Sequence, residues 1–370
     1  MRLISAARSL PSGVRSTQNT LSKKYKTPCP LCTPWFKVLF LGFVATTLTA
    51  CGKEPLYQQE SFVFGTQVQV SIYGETDAKA RAAAAAVLQE FDRLHREFHA
   101  WKPGPLMTLN SAIARGERHQ VSPELAAAIR DATQLSEASD GLFNPAIGQL
   151  IALWGFQNDE FKQVSPDREK IAALVKAQPR MRDLSVDTEH VVTSRNPAVQ
   201  LDFGGYAKGL ALDNALRILR AQGVKHALVN IGGNIIALGK HGTRPWHVGV
   251  RHPRTPSTMF ELDLNDGEAI GTSGDYQRYF ELNGLRYCHI IDPRTGYPAP
   301  HTQSLTVLAA PGPGAGVLSD AASKPGFIAD INTWEAALKR LGIEAAIRVD
   351  ESGKIAMSAA MARRAKRVRD

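Results

Sequence analysis

Cysteine is scarce in this chain, with 4 in 370 residues, and aromatic residues make up only 7%. Cys29 and Cys32 form a C-x-x-C pair near the amino terminus, and Cys51 follows an apolar run. Cys288 is then alone in the body of the chain and has no partner for an internal disulfide. The composition excludes a disulfide-stapled mini-protein, and its 44% hydrophobic content predicts a fold held by an apolar core.

Acidic residues are absent from the first 50 residues, which hold seven of the Lys and Arg residues. The last ten residues, 361–370, hold five basic residues against one acidic residue. Because the whole chain has a net charge of +9, residues 51–360 carry only −2. The body therefore lacks the basic surface that nucleic-acid binding requires, and we expect no nucleic-acid partner.

The apolar segment at residues 36–50 is interrupted by Lys37 and is too short for a confident membrane span. Basic residues precede it, as in an export signal. The following Leu48-Thr49-Ala50-Cys51 resembles the cleavage box of bacterial lipoproteins. We therefore predict a signal peptide at 1–50, lipidation at Cys51 and a linker at 51–60. This predicts a protein lipid-anchored in a bacterial cell envelope and facing the periplasm; the alternative is an uncleaved anchor with an incidental cysteine.

A regular βαβ period and internal repeats are also absent. Apolar and polar residues alternate over Val68–Ile72, which predicts a half-buried strand. Thr76 precedes a long alanine-rich helical pattern, and further strands are predicted at Ala227–Ile231 and Trp246–Arg251. Because strands and helices are interspersed irregularly, the sequence predicts an α+β or layered α/β fold, and excludes a Rossmann array.

The folded domain is predicted at 61–350, followed by a basic, solvated tail at 351–370. His95 and His99 lie four residues apart on the alanine-rich helix, which is a spacing compatible with metal binding. No further ligand completes such a site, so the spacing favours solvated surface histidines.

A Walker phosphate loop is missing, but glycine pairs occur where strands meet turns or helices. In Asp202-Phe203-Gly204-Gly205-Tyr206-Ala207-Lys208-Gly209 the glycines permit close backbone approach, and Lys208 adds a cation in the first helical turn. A phosphate site and a purely structural turn are both compatible with this segment. In His289-Ile290-Ile291-Asp292-Pro293-Arg294, His289 is either a general base or a structural histidine, and Asp292 is either catalytic or a turn cap.

Four more motifs accompany these two in a fixed order along the chain. They are WKPG at 101–104, GLFNPAIG at 141–148, NIGGN at 230–234 and TSGDYQRYF at 272–280. Over about residues 62–345, this set of six resembles the FAD:protein FMN transferases of the ApbE family. The resemblance implies a compact, two-lobed, layered α/β fold of the ApbE-like type, which is related to the T-fold.

The activity implied by the resemblance is cleavage of the FAD diphosphate in the presence of Mg²⁺. FMN would be attached by a phosphoester bond to a threonine of an exported or membrane flavoprotein, with release of AMP. Two other readings stay open: an FAD pyrophosphatase, and a non-catalytic periplasmic flavin-binding lipoprotein.

The resemblance also implies roles for individual residues. His289, with a near-normal pKa, would deprotonate the acceptor hydroxyl, with Asp292 beside it. Mg²⁺ would be held by the Gly205 carbonyl, Asp320 and a hydroxyl about one turn later. The residues expected to contact FAD are Phe64, Trp101, Leu142, Phe143, Asn144, Asp202, Lys208 and Ile291.

One position departs from the family pattern, which usually has a threonine four residues after the metal-binding aspartate. This chain has Lys324 there, and Ser323 is the nearest hydroxyl. The Lys324 ammonium would either compete for Asp320 and weaken Mg²⁺ binding, or replace part of the ion's charge at the diphosphate. Because Pro325 follows, we also predict that this helix starts late.

Overall fold

The computed structural model describes residues 56–158, 160 and 162–368. Cys51 and the predicted signal peptide lie outside the described residues. The helices are α1 (Asp77–Glu97), α2 (Pro105–Ala114), α3 (Pro123–Ala138), α4 (Gly148–Leu153), α5 (Arg168–Ala177), α6 (Ala207–Ala221), α7 (Ala315–Ile328), α8 (Trp334–Arg340) and α9 (Ala359–Ala362). A short 3₁₀ turn spans Met181–Asp183.

The strands are β1 (Leu56–Val63), β2 (Thr66–Tyr73), β3 (His119–Gln120), β4 (Leu184–Val186), β5 (Val191–Ser194), β6 (Ala227–Ile231), β7 (Asn234–Leu238), β8 (Trp246–Arg251), β9 (Thr258–Leu264), β10 (Ala269–Gly274), β11 (Tyr279–Leu282), β12 (Leu285–Cys288), β13 (Thr302–Ala309), β14 (Ala345–Asp350), β15 (Ile355–Met357) and β16 (Lys366–Arg367). The strands predicted over Ala227–Ile231 and Trp246–Arg251 are confirmed. The helix predicted to begin after Thr76 is also confirmed, because the Thr76 hydroxyl accepts the Lys79 N–H.

An antiparallel sheet of eight strands, in the order β1-β2-β6-β7-β10-β13-β14-β15, forms the centre of the fold. Its middle strands are covered on both faces, and every residue of β13 is buried. Helices α1, α6 and α7 pack in the apolar core on one face. A second core, which includes Trp246, Val248 and Phe260, joins the other face to the three-stranded sheet β16-β9-β8. The predicted α+β, layered class is therefore confirmed.

Helix α7 begins earlier than the sequence predicted. Pro325 predicted a late start, but the helix runs from Ala315 to Ile328 and contains Pro325 in its last turn. Its first N–H groups are capped from another helix, since the Asp213 carboxylate of α6 accepts from Gly316 and Val317 at 2.8 and 2.9 Å. The prediction of a late start was wrong because this cap is distant in sequence.

The predicted linker and tail differ from the structure. Residues Leu56–Val63 pair along their whole length with Thr66–Tyr73, so half of the expected 51–60 linker is strand. In the expected 351–370 tail, Ile355–Met357 extends the central sheet and Lys366–Arg367 pairs with β9. No helix among the described residues is long and apolar enough to cross a bilayer.

Candidate functional site

A cavity of about 780 Å³ opens at one end of the central sheet. It is bordered by the β1–β2 turn, the segment after α1, the 141–147 turn, the amino terminus of α6 and the β6–β7 turn. The segment after β12 and the side of α7 complete the lining. All eight residues that the resemblance named for FAD contact line this cavity, although they lie far apart in sequence.

Trp101 and Asp202 are joined directly across the cavity wall. The Trp101 Nε1–H donates to Asp202 Oδ2 at 2.8 Å, and the Gly204 N–H donates to Asp202 Oδ1 at 2.7 Å. Behind Trp101, the His99 Nδ1 accepts the Trp101 N–H at 3.1 Å. These bonds fix the indole as a flat face beside the glycine turn, which suits stacking on an aromatic ring system.

Phe64 is held in a backbone conformation that aromatic residues rarely adopt, with φ of 57° at the β1–β2 turn. Its ring packs 6.1 Å from the Phe91 ring and 5.6 Å from the His95 imidazole, measured between centroids. His95 and His99 line the cavity as well, so the prediction of plain surface histidines was wrong. This cluster gives the cavity a second aromatic wall.

The Leu142-Phe143-Asn144 turn is anchored by its own polar atoms. Asn144 Nδ2 donates to the Pro179 carbonyl at 2.8 Å, and Asn144 Oδ1 accepts the Ala146 N–H at 3.1 Å. The Phe143 N–H donates to the Ser139 hydroxyl. Leu142 and Phe143 are buried apolar side chains that line the cavity, so this turn gives the cavity an apolar wall.

Helix α6 begins at the cavity with Gly204 and Gly205 before it and Lys208 in its first turn. A helix start presents free N–H groups and the positive end of the helix dipole, which favours an anion. The Lys208 side chain adds a full positive charge at the same place. The arrangement can therefore hold a phosphate group, which is one of the two possibilities that the glycine-rich segment left open.

His289 lines the cavity, and its tautomer follows from one hydrogen bond. Its Nδ1 lies 3.2 Å from the Arg278 carbonyl oxygen, which only accepts, so Nδ1 carries the proton and Nε2 keeps its lone pair. Burial and the charges of Arg278, Lys208 and Lys324 lower the pKa of His289 to about 3. The expected near-normal pKa was therefore wrong, and the imidazole is neutral at physiological pH.

Asp292 does not reach the cavity lining. Its carboxylate accepts the Arg294 backbone N–H and forms an ion pair with the Arg294 guanidinium at 2.8 Å. Its carbonyl oxygen accepts the Gly296 N–H at 2.8 Å, which closes the turn. The structure assigns Asp292 to the turn, so its predicted catalytic role is replaced by the turn-cap alternative.

Asp320 and Lys324 lie one helical turn apart on α7. The Lys324 ammonium contacts Asp320 Oδ1 and donates to the Asp320 carbonyl oxygen at 2.8 Å. Although burial opposes ionisation of Asp320, the charges of Lys324 and Lys208 hold the pKa of its carboxyl below the ordinary value. Asp320 is fully buried and lies behind the cavity wall, whereas Lys324 forms part of that wall.

The expected Mg²⁺ site does not fit these residues. The Lys324 ammonium occupies the Asp320 carboxylate, and its chain packs against Gly205, where an added Cβ would lie 2.9 Å from Lys324 Cε. The hydroxyl of Ser323, the third candidate, is fully buried and bonded to the Asp320 carbonyl and to Ser273. Among the described residues, no group of three or more His, Cys, Asp or Glu is placed to hold a metal.

Gln157 and Arg278 line the cavity without having been singled out from the sequence. Arg278 lies inside the TSGDYQRYF motif, so the motif itself was the available signal. The Gln157 Oε1 atom is buried and has no hydrogen-bond partner, which leaves an acceptor at the cavity. No sequence pattern marks Gln157.

The chain is similar to proteins of one known family. The model of the ApbE family matches residues 64–347. A Rhodobacter capsulatus protein named FAD:protein FMN transferase is 40% identical over 301 residues, which cover 81% of this chain and 57% of that protein. A Klebsiella pneumoniae protein of the same name is 31% identical over 280 residues, covering 74% of this chain and 79% of that protein. The chain thus spans little more than half of the Rhodobacter relative.

A solved structure of an ApbE protein from Thermotoga maritima superposes with a TM-score of 0.75 at 31% identity. The match covers 83% of this chain and 98% of the Thermotoga chain. Nearly the whole of that solved fold is therefore reproduced here.

Proposed function

The chain belongs to the ApbE family, and from that premise we propose that it is an FAD:protein FMN transferase. It takes FAD as substrate, attaches the FMN half to a threonine of an acceptor flavoprotein through a phosphoester bond, and releases AMP. The acceptor is an exported or membrane protein.

One observation carries the proposal: eight residues from separate segments, each expected to contact FAD, line one cavity. The cavity volume of about 780 Å³ is within the range of small-molecule sites and large enough for most of a dinucleotide. Its aromatic walls suit a flavin ring, and the start of α6 with Lys208 suits a diphosphate.

The chemistry is a phosphoryl transfer with one bond made and one broken. The acceptor threonine oxygen attacks the phosphorus on the FMN side, and the bond from that phosphorus to the bridging oxygen breaks. AMP leaves with the bridging oxygen, while the threonine proton passes to His289 Nε2, the nitrogen that keeps its lone pair. The negative charge of the bound diphosphate offsets the nearby cations and so raises the pKa of His289 above its value in the empty cavity, which makes the imidazole a stronger base. Lys208 stabilises the charge that develops on the phosphate oxygens.

No step of this reaction involves Mg²⁺, because Lys324 occupies the Asp320 carboxylate and the Ser323 hydroxyl is buried and already hydrogen-bonded.

Mass spectrometry of a candidate acceptor after incubation with this protein and FAD tests the proposal. We expect the added mass of FMN on one threonine and an equal amount of AMP, and no addition to an acceptor whose threonine is replaced by valine. His289→Ala is expected to slow transfer by about 10²–10⁴-fold. An undiminished rate would remove His289 from the mechanism.

The outcome against the proposal is fast release of AMP and FMN from FAD alone with an unmodified acceptor, which indicates a pyrophosphatase. Intact FAD that stays bound in the presence of acceptor would instead indicate a flavin-binding protein.

We also propose that the chain is exported and anchored by lipid at Cys51, on the support of the apolar segment 36–50 and the Leu-Thr-Ala-Cys sequence. Expression with labelled palmitate in a bacterial host is the test. Label is expected on the intact protein and lost from Cys51→Ala, whereas Cys288→Ala should keep it. Label on neither form would reject the anchor.

A further inference from the structure

Lys324 occupies a bridging position at the wall of the cavity. On one side its ammonium holds both the carboxylate and the carbonyl oxygen of Asp320. On the other side its chain packs on Gly205, where an added Cβ would lie 2.9 Å from Lys324 Cε and 3.6 Å from Nζ. The lysine thus joins the glycine turn before α6 to the buried aspartate of α7.

Asp320 needs this positive charge because its side chain is fully buried. Its other oxygen, Oδ2, accepts only a neutral donor, the Gly209 N–H, at 3.1 Å. A buried carboxylate without a cation is strongly unfavourable, so either a metal ion or an ammonium must accompany it. In this chain the lysine supplies that charge.

The Lys324 ammonium also has capacity for a ligand. It carries three N–H donors, and two of them reach Asp320. Lys324 lines the cavity together with Lys208, which leaves one donor for a bound group there. Lys208 and Lys324 together bring two positive charges, the charge of one divalent cation, to the place where the diphosphate is expected.

We propose that Lys324 is a tethered cation that takes the place of the divalent metal ion, so that this chain binds the FAD diphosphate without a metal. This rests on the proposed function, since it assumes that FAD occupies the cavity. Lys324 thereby becomes a residue that contacts the substrate, and Asp320 becomes the group that positions it.

Two measurements on the full chain test this: FAD binding followed by flavin fluorescence, and Mn²⁺ binding followed by electron paramagnetic resonance. For the unaltered protein, we expect FAD affinities in excess EDTA and in excess Mg²⁺ to agree within about twofold, with no Mn²⁺ bound. Lys324→Thr restores a hydroxyl beside Asp320, so we expect it to bind Mn²⁺. Its FAD affinity should fall by about tenfold or more in EDTA and recover with Mg²⁺.

Lys339→Thr is the matched control, because Lys339 lies exposed in the last turn of α8. It should behave like the unaltered protein in both measurements. The measurements on the unaltered protein do not depend on whether the Lys324 variant folds.

Mn²⁺ bound by the unaltered protein, or FAD binding that disappears in EDTA, would overturn the tethered cation while leaving the transferase proposal intact. Failure to bind FAD under any condition would instead reject the proposed function, and the Mn²⁺ measurement would still decide the cation question.

Discussion

His289 gains its chemical character from its surroundings rather than from its residue type. An ordinary histidine titrates near pH 6.5, but burial and three nearby cations keep this one neutral. The Arg278 carbonyl then determines which ring nitrogen faces the reaction without a proton. The motif predicted an imidazole at the site, but it carried no information about these neighbours.

The lowered pKa of His289 makes the folded protein sensitive to acid. In the unfolded chain this histidine takes up a proton below about pH 6.5, whereas in the folded protein it does so only near 3. Between these values the unfolded state binds more protons, so the free energy of unfolding falls as pH is lowered. Urea unfolding from pH 7 to 4.5 should show a smaller fall for His289→Gln than for the unaltered protein.

His119→Gln is the histidine control, because His119 lies on β3, outside the cavity lining. In this variant the free energy of unfolding should fall with decreasing pH as much as it does in the unaltered protein. Equal slopes for all three proteins would contradict the assigned pKa direction of His289.

At the scale of elements, the site depends on how closely α6 and α7 approach each other. A side chain at Gly209 would meet the Gly316 carbonyl oxygen at 2.4 Å and Val317 Cα at 2.6 Å, both backbone atoms that cannot move aside. This contact places Lys208 of α6 beside Lys324 of α7.

Gly209→Ala should therefore destabilise the protein by about 1–3 kcal/mol, because overpacking outweighs the gain of about 1 kcal/mol in helix propensity. Gly312→Ala is the matched control, since a Cβ at Gly312 meets nothing within 4 Å. Urea denaturation of both variants measures the difference. Equal free energies of unfolding for the two variants would contradict this prediction, because they would mean that α6 and α7 can move apart without destabilising the protein.

Asp213 links the same helices electrostatically. Burial raises its pKa to about 6 although two backbone N–H groups of α7 donate to it. From about pH 4 to 6 the folded protein holds a proton that the unfolded chain releases, so this group lowers stability as pH rises. Asp213→Asn should remove that decline, as measured by unfolding at pH 4.5 and 7.

The control for Asp213 is Asp92→Asn on the exposed face of α1, which should follow the unaltered protein. If Asp213→Asn and the unaltered protein lose stability in parallel over this range, Asp213 is ionised throughout in the folded state.

Elements with local signals were predicted well, and those that depend on distant partners were not. Thr76 caps α1 from within its own sequence neighbourhood, so the start of this helix could be predicted. The start of α7 was missed because its cap, Asp213, is about one hundred residues away.

At the scale of the whole molecule, the carboxyl-terminal segment is part of the fold. The two terminal guanidinium nitrogens of Arg364, Nη1 and Nη2, donate at 2.8 Å to the two carboxylate oxygens of Glu268, which is 6% exposed. One of these nitrogens also donates to the Asp263 carbonyl. The basic composition suggested a solvated tail, but composition does not reveal a buried acid elsewhere in the chain.

Arg364→Ala should cost about 2–4 kcal/mol of unfolding free energy, since it leaves the Glu268 charge buried and unpaired. In a Glu268→Gln background the same change should cost clearly less. Arg363→Ala, at an exposed neighbour, should change stability by less than about 0.5 kcal/mol. A double-mutant cycle in urea provides the measurement, and additive effects would contradict a direct Arg364–Glu268 pairing.

The sequence by itself determined the layered fold class, the start of α1 and eight of the residues that line the cavity. These depend on local periodicity, capping and motifs, which are properties of neighbouring residues. Tertiary structure alone decided that His289 is neutral, that Asp292 closes a turn and that Lys324 covers Asp320 and Gly205. Burial, electrostatic interaction and close packing depend on distances between segments far apart in the chain, and those distances exist only once the chain has folded.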